Sequence, residues 1–151
     1  MIDVVWQVAS EASGLPDEAA VRRWVAAALE GERDEAEVVV RVVDEPEARQ
    51  LNRAYRGRDY ATNVLSFPSE PPPGFEDLPD LGDLVLCAAV VAREAVEQGK
   101  AEWDHWAHLV VHGTLHLLGM DHEAEDQAAR MEARECAILA RLGITDPYAP
   151  R

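Results

Sequence analysis

All five histidines of the chain fall between His105 and His122, and three of them sit in the string HGTLHLLGMDH. Its spacing, H-x-x-x-H-x-x-G-x-x-H, is that of a three-histidine transition-metal site. His112 and His116 are four residues apart, so on a helix both rings leave one face about one turn from each other. Gly119 can then take the positive φ that ends a helix, and the returning chain brings His122 back as a third ligand. Three neutral imidazoles suit zinc and leave one tetrahedral position open, which is how catalytic rather than structural zinc is held.

His105 and His108 continue the same helix face upstream, at offsets of three and four. Three ligands already complete a catalytic set, so these two are not expected to bind the metal. His108 can face substrate or support a ligand ring, or it can be a hydrogen-bonded core histidine. The spacing also resembles the zinc-peptidase pattern HExxHxxGxxH, in which the glutamate takes a proton from the metal-coordinated water. Here that position is Gly113, which carries no proton. The metal geometry is kept and the peptidase base is gone. Phosphodiester cleavage then becomes attractive, because its main demand is stabilising charge on phosphoryl oxygens, which metal and arginine do well.

Arginines are at hand. Arg49, Arg53, Arg56 and Arg58 lie within ten positions, and the first three share a helix face at i, i+4, i+7. Two readings of that face stand: a solvated surface, or a local positive patch able to hold phosphates. The formal net charge of −15 argues against a generic polyanion binder, whose footprint is basic, so any such patch sits on an acidic body.

The remaining composition bounds the class. A length of 151 residues with 48% hydrophobic content is one ordinary domain, read here as spanning 1–151. No stretch reaches the apolar length of a membrane span, and MIDVVWQVASEASG lacks the positive start of a secretory signal. Cys87 and Cys136 are isolated and read as packing residues of a reducing compartment, so the cytoplasm is expected.

The elements that must carry the site follow from periodicity and punctuation. Ile2 to Ala9 and Ala36 to Val43 read as strands. Pro16 reads as a first-turn residue of a helix over Asp17 to Glu30, with Val21, Trp24, Val25 and Leu29 on one side. Asp44 and Glu47 resemble a capping pair opening a helix to about Arg56. Thr62 to Phe67 reads as a short strand stopped by Pro68. Five of the nine prolines then fall between Pro68 and Leu81, an expected exposed, mobile loop. A strand over Gly82 to Cys87 leads into a helix ending near Gly99. The metal-bearing helix runs from Glu102 to Leu118, with Trp103, Leu109, Val110 and Leu117 available for the core. The last helix spans about Glu125 to Leu142, with Met131, Ile138, Leu139 and Leu142 in the core; the tail TDPYAPR is expected to be loose. The expected class is mixed α/β: a small four-stranded sheet covered by about five helices.

These residues match a known pattern. LNRAYRGRDYATNVLSFP (Leu51 to Pro68), LGDLVLC (Leu81 to Cys87) and HWAHLVVHGTLHLLGMDH (His105 to His122) resemble the YbeY family of bacterial single-strand endoribonucleases. The likeness continues through the helix with Met131 and Glu132 and covers nearly the whole chain. Met120 stands where many members have tyrosine, outside the ligand set. The resemblance implies one zinc ion on His112, His116 and His122, a zincin-like fold with the metal helix packed beneath a mixed sheet, and a functional Arg56. It implies action on single-stranded RNA in ribosomal RNA processing, notably maturation of the small-subunit 3′ end, and in ribosome quality control. Arg56, together with His112 and His116, then forms the catalytic set, and Arg56 and Arg53 the substrate contacts. Arg56 would supply a two-pronged guanidinium for phosphate; the competing reading is a surface ion pair with Asp59 or Glu47. Asp83 and Asp121 could orient ligand rings, or Asp121 could only cap the turn. A small-subunit ribosomal protein is a further candidate partner, and neither DNA nor a membrane is expected. Two other functions stay open: a ribosome-assembly factor with a mainly structural zinc, favoured by the acidic surface, and a metallopeptidase, disfavoured by Gly113.

Overall fold

The computed structural model describes residues 1–148. Strands β1 (Ile2–Ala9), β2 (Ala36–Val43), β3 (Val64–Pro68) and β4 (Asp80–Cys87) form one sheet in the order β1-β2-β4-β3. The first three positions of that order run parallel, and β3 lies antiparallel on β4 at the edge. Parallel neighbours need crossovers. Helix α1 (Glu18–Leu29) supplies one, and α2 (Glu45–Arg56) leads through β3 and the proline-rich loop to β4. Helices α3 (Ala88–Glu97), α4 (Glu102–Leu117) and α5 (Glu125–Arg141) complete the chain, so the mixed four-stranded sheet with five helices is as expected.

Strand β2 alternates: one face is buried throughout, while Glu37 is exposed and Val39 and Arg41 are half-buried on the other, where Val43 alone is buried. Val38, Val40 and Val42 join the main core, which contains Trp24, Leu84, Leu86 and the buried side of α4. Val43 belongs to a smaller cluster with Ala48, Leu65, Val85, Cys87 and Val90 on the other face. Helix α4 is the central packing element, touching α1, α3, α5, β3 and β4. Its Leu109, Val110 and Leu117 are buried as expected, and so are Met131, Ile138 and Leu139 of α5. Among the described residues, no helix is long and apolar enough to cross a membrane.

Several local expectations are corrected. Trp103 is 46% exposed, because Trp106 one turn on fills the core; Trp103 instead meets the edge of Trp24, ring centroids 5.1 Å apart. Leu142 follows the end of α5 and is only partly buried. Pro16 stays outside α1, whose cap is Asp17, accepting from the Ala20 amide at 2.8 Å. Asp44 and Glu47 form no capping pair. Asp44 accepts from the Ser10 hydroxyl and Glu11 amide, and Glu47 takes both prongs of Arg41 at 2.7 and 3.0 Å. Pro68 does not stop β3 but pairs with Gly82, which an edge strand tolerates because no further strand needs its missing N–H. The strand β4 starts at Asp80, two residues before the expected Gly82, because Asp80 pairs with Glu37 of β2. In the described part of the tail expected to be loose, Tyr148 folds back onto Glu135; residues 149–151 lie outside the described residues.

Candidate metal centre and its cleft

Helix α4 presents His112 and His116 and then stops in two crossed hydrogen bonds. The Gly119 amide reaches the His116 carbonyl at 2.9 Å, and the Met120 amide reaches Leu115 at 3.1 Å. That closing pattern needs a left-handed residue, and Gly119 supplies it with φ +95. The reversed chain delivers His122. Its Nδ1 lies 3.1 Å from His116 Nε2, and His112 Nε2 lies at the same 3.1 Å on the other side.

Protons decide what those short separations mean. His116 Nδ1 donates to the Met120 carbonyl at 2.9 Å, so its Nε2 carries a lone pair. His112 Nδ1 donates to the Glu135 carboxylate, so its Nε2 carries one too. Two lone pairs facing each other at contact distance repel unless a cation lies between them. Tetrahedral zinc with bonds of about 2.0–2.1 Å sets ligand nitrogens about 3.3 Å apart, close to the spacing seen. Burial, reinforced by His112 and His122, pushes the His116 imidazole down to about 4, so at neutral pH it is in the uncharged form a ligand needs. The expected triad is brought together and fits a metal ion.

Glu135 was not anticipated. It sits on α5, fully buried, and accepts from His112, from His108 Nε2 at 3.1 Å and from the Tyr148 hydroxyl. Burial alone would raise its carboxyl, but the hydrogen bonds from His108, His112 and Tyr148 bring it down to about 2. One signal was available: Glu135 lies on the apolar stripe of α5, four residues after Met131 and three before Ile138. His108 thus meets the carboxylate that holds His112 and lies outside the three-imidazole cluster, although His108, His112 and Glu135 also come close enough together to hold an ion. His105 is buried, and its Nε2 meets Glu94 at 2.9 Å; that carboxylate also receives Asn63 at 3.0 Å.

Of the two acidic residues that could orient ligand rings, neither has a hydrogen bond to one among the described residues. Asp83 alternates with the buried Leu84 of the α4 side and so faces the opposite side of the sheet. Asp121 accepts from the adjacent His122 amide at 2.7 Å, which is turn capping. Neither thiol lines the cleft: Cys87 is buried, and Cys136, next to Glu135 in the chain, donates to Asp146 at 3.1 Å with its pKa pushed up, by burial first, to about 11.

A cleft of about 800 Å³ opens over the three rings, and Arg56, Arg58 and Tyr55 line it from the end of α2. Gly57, left-handed at φ 71, ends that helix directly after Arg56. The ion pairs proposed for Arg56 are taken by others: Asp59 holds Arg49 at 2.8 and 2.9 Å, and Glu47 holds Arg41. Among the described residues the Arg56 side chain has no ion-pair or hydrogen-bond partner. Arg53 is exposed and does not line the cleft, whereas Arg58 does, with a 3.3 Å contact to the Tyr60 hydroxyl.

Gly113 has a steric reason. A Cβ there would meet Leu84 Cδ2 at 2.9 Å and both Ser66 Oγ and Val64 Cγ2 at 3.3 Å. Helix α4 rests directly on β3 and β4 at this point, and the Ser66 hydroxyl donates to the Gly113 carbonyl at 3.1 Å. A glutamate, as in the peptidase pattern, has no room.

Comparison with known proteins identifies the family. A family model described as endoribonuclease YbeY matches residues 8–143. A protein named endoribonuclease YbeY from Alkalilimnicola ehrlichii is 64% identical over 97% of this chain and 90% of its own length. One of the same name from Xanthomonas campestris is 59% identical over 98% of this chain and 94% of its own. The solution structure of a Thermotoga maritima protein shares the fold, with a TM-score of 0.59 at 24% identity, covering 99% of this chain and 100% of that one. The chain belongs to the endoribonuclease YbeY family of nuclease enzymes.

Proposed function

We propose that the chain is a zinc-dependent, single-strand-specific endoribonuclease that acts as one domain in the cytoplasm. Its substrate on this reading is ribosomal RNA of the small subunit, in 3′-end maturation and ribosome quality control. One observation carries the reading: three convergent imidazole nitrogens and an unpaired arginine, Arg56, face the same cleft. RNA as substrate is what the relatives' names say of them.

His112, His116 and His122 would hold the zinc, which when bound polarises a phosphoryl oxygen and makes water a better nucleophile at neutral pH. Arg56 grips two non-bridging oxygens of the scissile phosphate and offsets the charge that develops on them. Arg58 lies beside it in the lining and reaches a neighbouring phosphate. Gly113 holds α4 against the sheet, fixing the rings relative to β3, and supplies no proton. The net charge of −15 favours a further element: docking through a basic small-subunit ribosomal protein that offsets repulsion of the RNA.

Purified protein analysed for metal, assayed on unpaired RNA beside His112→Ala, tests this. About one zinc per chain is expected, with cleavage abolished by a chelator and in the variant. Full zinc without cleavage, or cleavage surviving in His112→Ala, would transfer the case to an assembly factor with a structural metal.

A further inference from the structure

We propose that Glu135 is the positioning residue of the metal centre, a buried carboxylate that fixes the ring and tautomer of His112 and supplies the negative charge behind it. The inference rests on the reading of His112 as a metal ligand. Glu135 divides its two oxygens. Oε1 accepts from His112 Nδ1, while Oε2 accepts from Tyr148 and lies 3.1 Å from His108 Nε2. With the Nδ1 proton held there, the lone pair of His112 must lie on Nε2, the atom 3.1 Å from His116 Nε2. Ligand histidines whose second nitrogen is bound to a carboxylate are both oriented and made more basic.

Charge supplies the second argument. The carboxylate is fully buried, and among the described residues its ion-pair partners are His108 and His112 alone, with no lysine or arginine. A buried anion held by neutral donors is costly unless a cation is close. A divalent ion on the far nitrogen of His112 provides that cation. His108 and Tyr148 keep the carboxylate aimed: their rings meet edge to face with centroids 5.4 Å apart, and the Tyr148 hydroxyl is 3.2 Å from His108 Nε2. The end of the described chain therefore closes over the back of the centre and makes Tyr148 part of its support.

The test is Glu135→Gln, which keeps size and removes charge, read by zinc affinity and by the ring nitrogens of histidine-labelled protein at pH 8. A drop in zinc affinity of about 10- to 100-fold is expected. In the wild type the His112 proton should reside on Nδ1, and in Glu135→Gln its resonance should shift, while that of His116, held by the Met120 carbonyl, stays in place. A merely structural Glu135 would lower the thermal midpoint but leave the affinity of the folded protein and the His112 nitrogens unmoved, and that result overturns the inference. Should Glu135→Gln not fold, the wild type decides alone: a metal-free His112 protonated on Nε2 overturns it. A wild type that takes up no zinc overturns the metal reading instead, and the proton position on His112 still decides the positioning role.

Discussion

Arg56 and Arg49 show how far two like residues on one helix can diverge. Both stand on the α2 face that the spacing i, i+4, i+7 makes continuous, yet Arg49 is locked in a two-pronged pair with Asp59 and Arg56 faces the cleft. Loss of a donor that stabilises charge on the reacting group costs about 10²–10³ in rate. Arg56→Ala is therefore expected to lose cleavage on that scale with zinc content and thermal midpoint intact. Arg56→Lys should recover little, because the charge survives but the planar fork does not. Steady-state rates on unpaired RNA decide it: an Arg56→Ala variant with parental kcat/KM, or one that sheds its zinc, makes Arg56 structural. Arg49→Ala should be far milder. At this scale the convergence of the three imidazoles was legible from spacing alone, whereas Arg53, which shares the helix face with Arg56, does not line the cleft.

Between elements, the closest approach in the site is where α4 crosses β3 and β4 at Gly113. Adding one methyl group there would press on Leu84, Ser66 and Val64 at once. Overpacking of this kind costs about 1–3 kcal/mol. Gly113→Ala should unfold at lower urea by that amount, and Gly113→Glu should fall further without gaining peptidase activity. Equal urea midpoints for Gly113→Ala and the parent would mean that the helix shifts freely on the sheet. Which residues make a strand or helix was readable here, since β2 and α4 announce themselves by apolar runs and periodic spacing. The edge position of β3 was not, and that position lets Pro68 pair where a proline seemed to end the strand.

For the molecule as a whole, acid should act before denaturant does. His116 is held down to about 4 by burial, against an ordinary 6.5, and burial lowers His105 as well. The unfolded chain protonates His116 below pH 6.5, while the folded chain does so only near 4. The unfolded state binds more protons across that window, so stability falls as pH falls. Glu135, held near 2 against an ordinary 4.5, adds a contribution that is complete above 4.5 and is lost as pH drops toward 2. Urea midpoints of chelator-treated protein should decline steadily from pH 6.5 to 4.5; a flat profile would contradict the buried neutral imidazoles. Substrate form belongs to the same scale. Rings and Arg56 must reach one phosphate inside a single cleft, and an unpaired strand adapts to that more readily than a stiff duplex. Cleavage of paired and unpaired RNA in competition should favour the unpaired strand strongly, and equal cutting would refute the proposed geometry.

The convergence of the three imidazoles is a local property. His112, His116, Gly119 and His122 span one helix end and one turn, so the 3.6-residue repeat and a left-handed glycine suffice to bring the rings together. The same holds for the existence of the strands and helices and for the missing peptidase base, since Gly113 carries no side chain; the lack of room for one comes from β3 and β4. Support for the site is not local. Glu135 lies 23 residues from His112, and Tyr148 lies 40 from His108; they meet only because α5 packs along α4 and the tail turns back. Asp83 failed as an orienting carboxylate because strand alternation and sheet order, taken together, aim it away from α4. Periodicity states which side of an element is apolar, but not which partner that side will meet. Tertiary packing made that choice, and with it turned one glutamate on an apolar stripe into the carboxylate behind the metal centre.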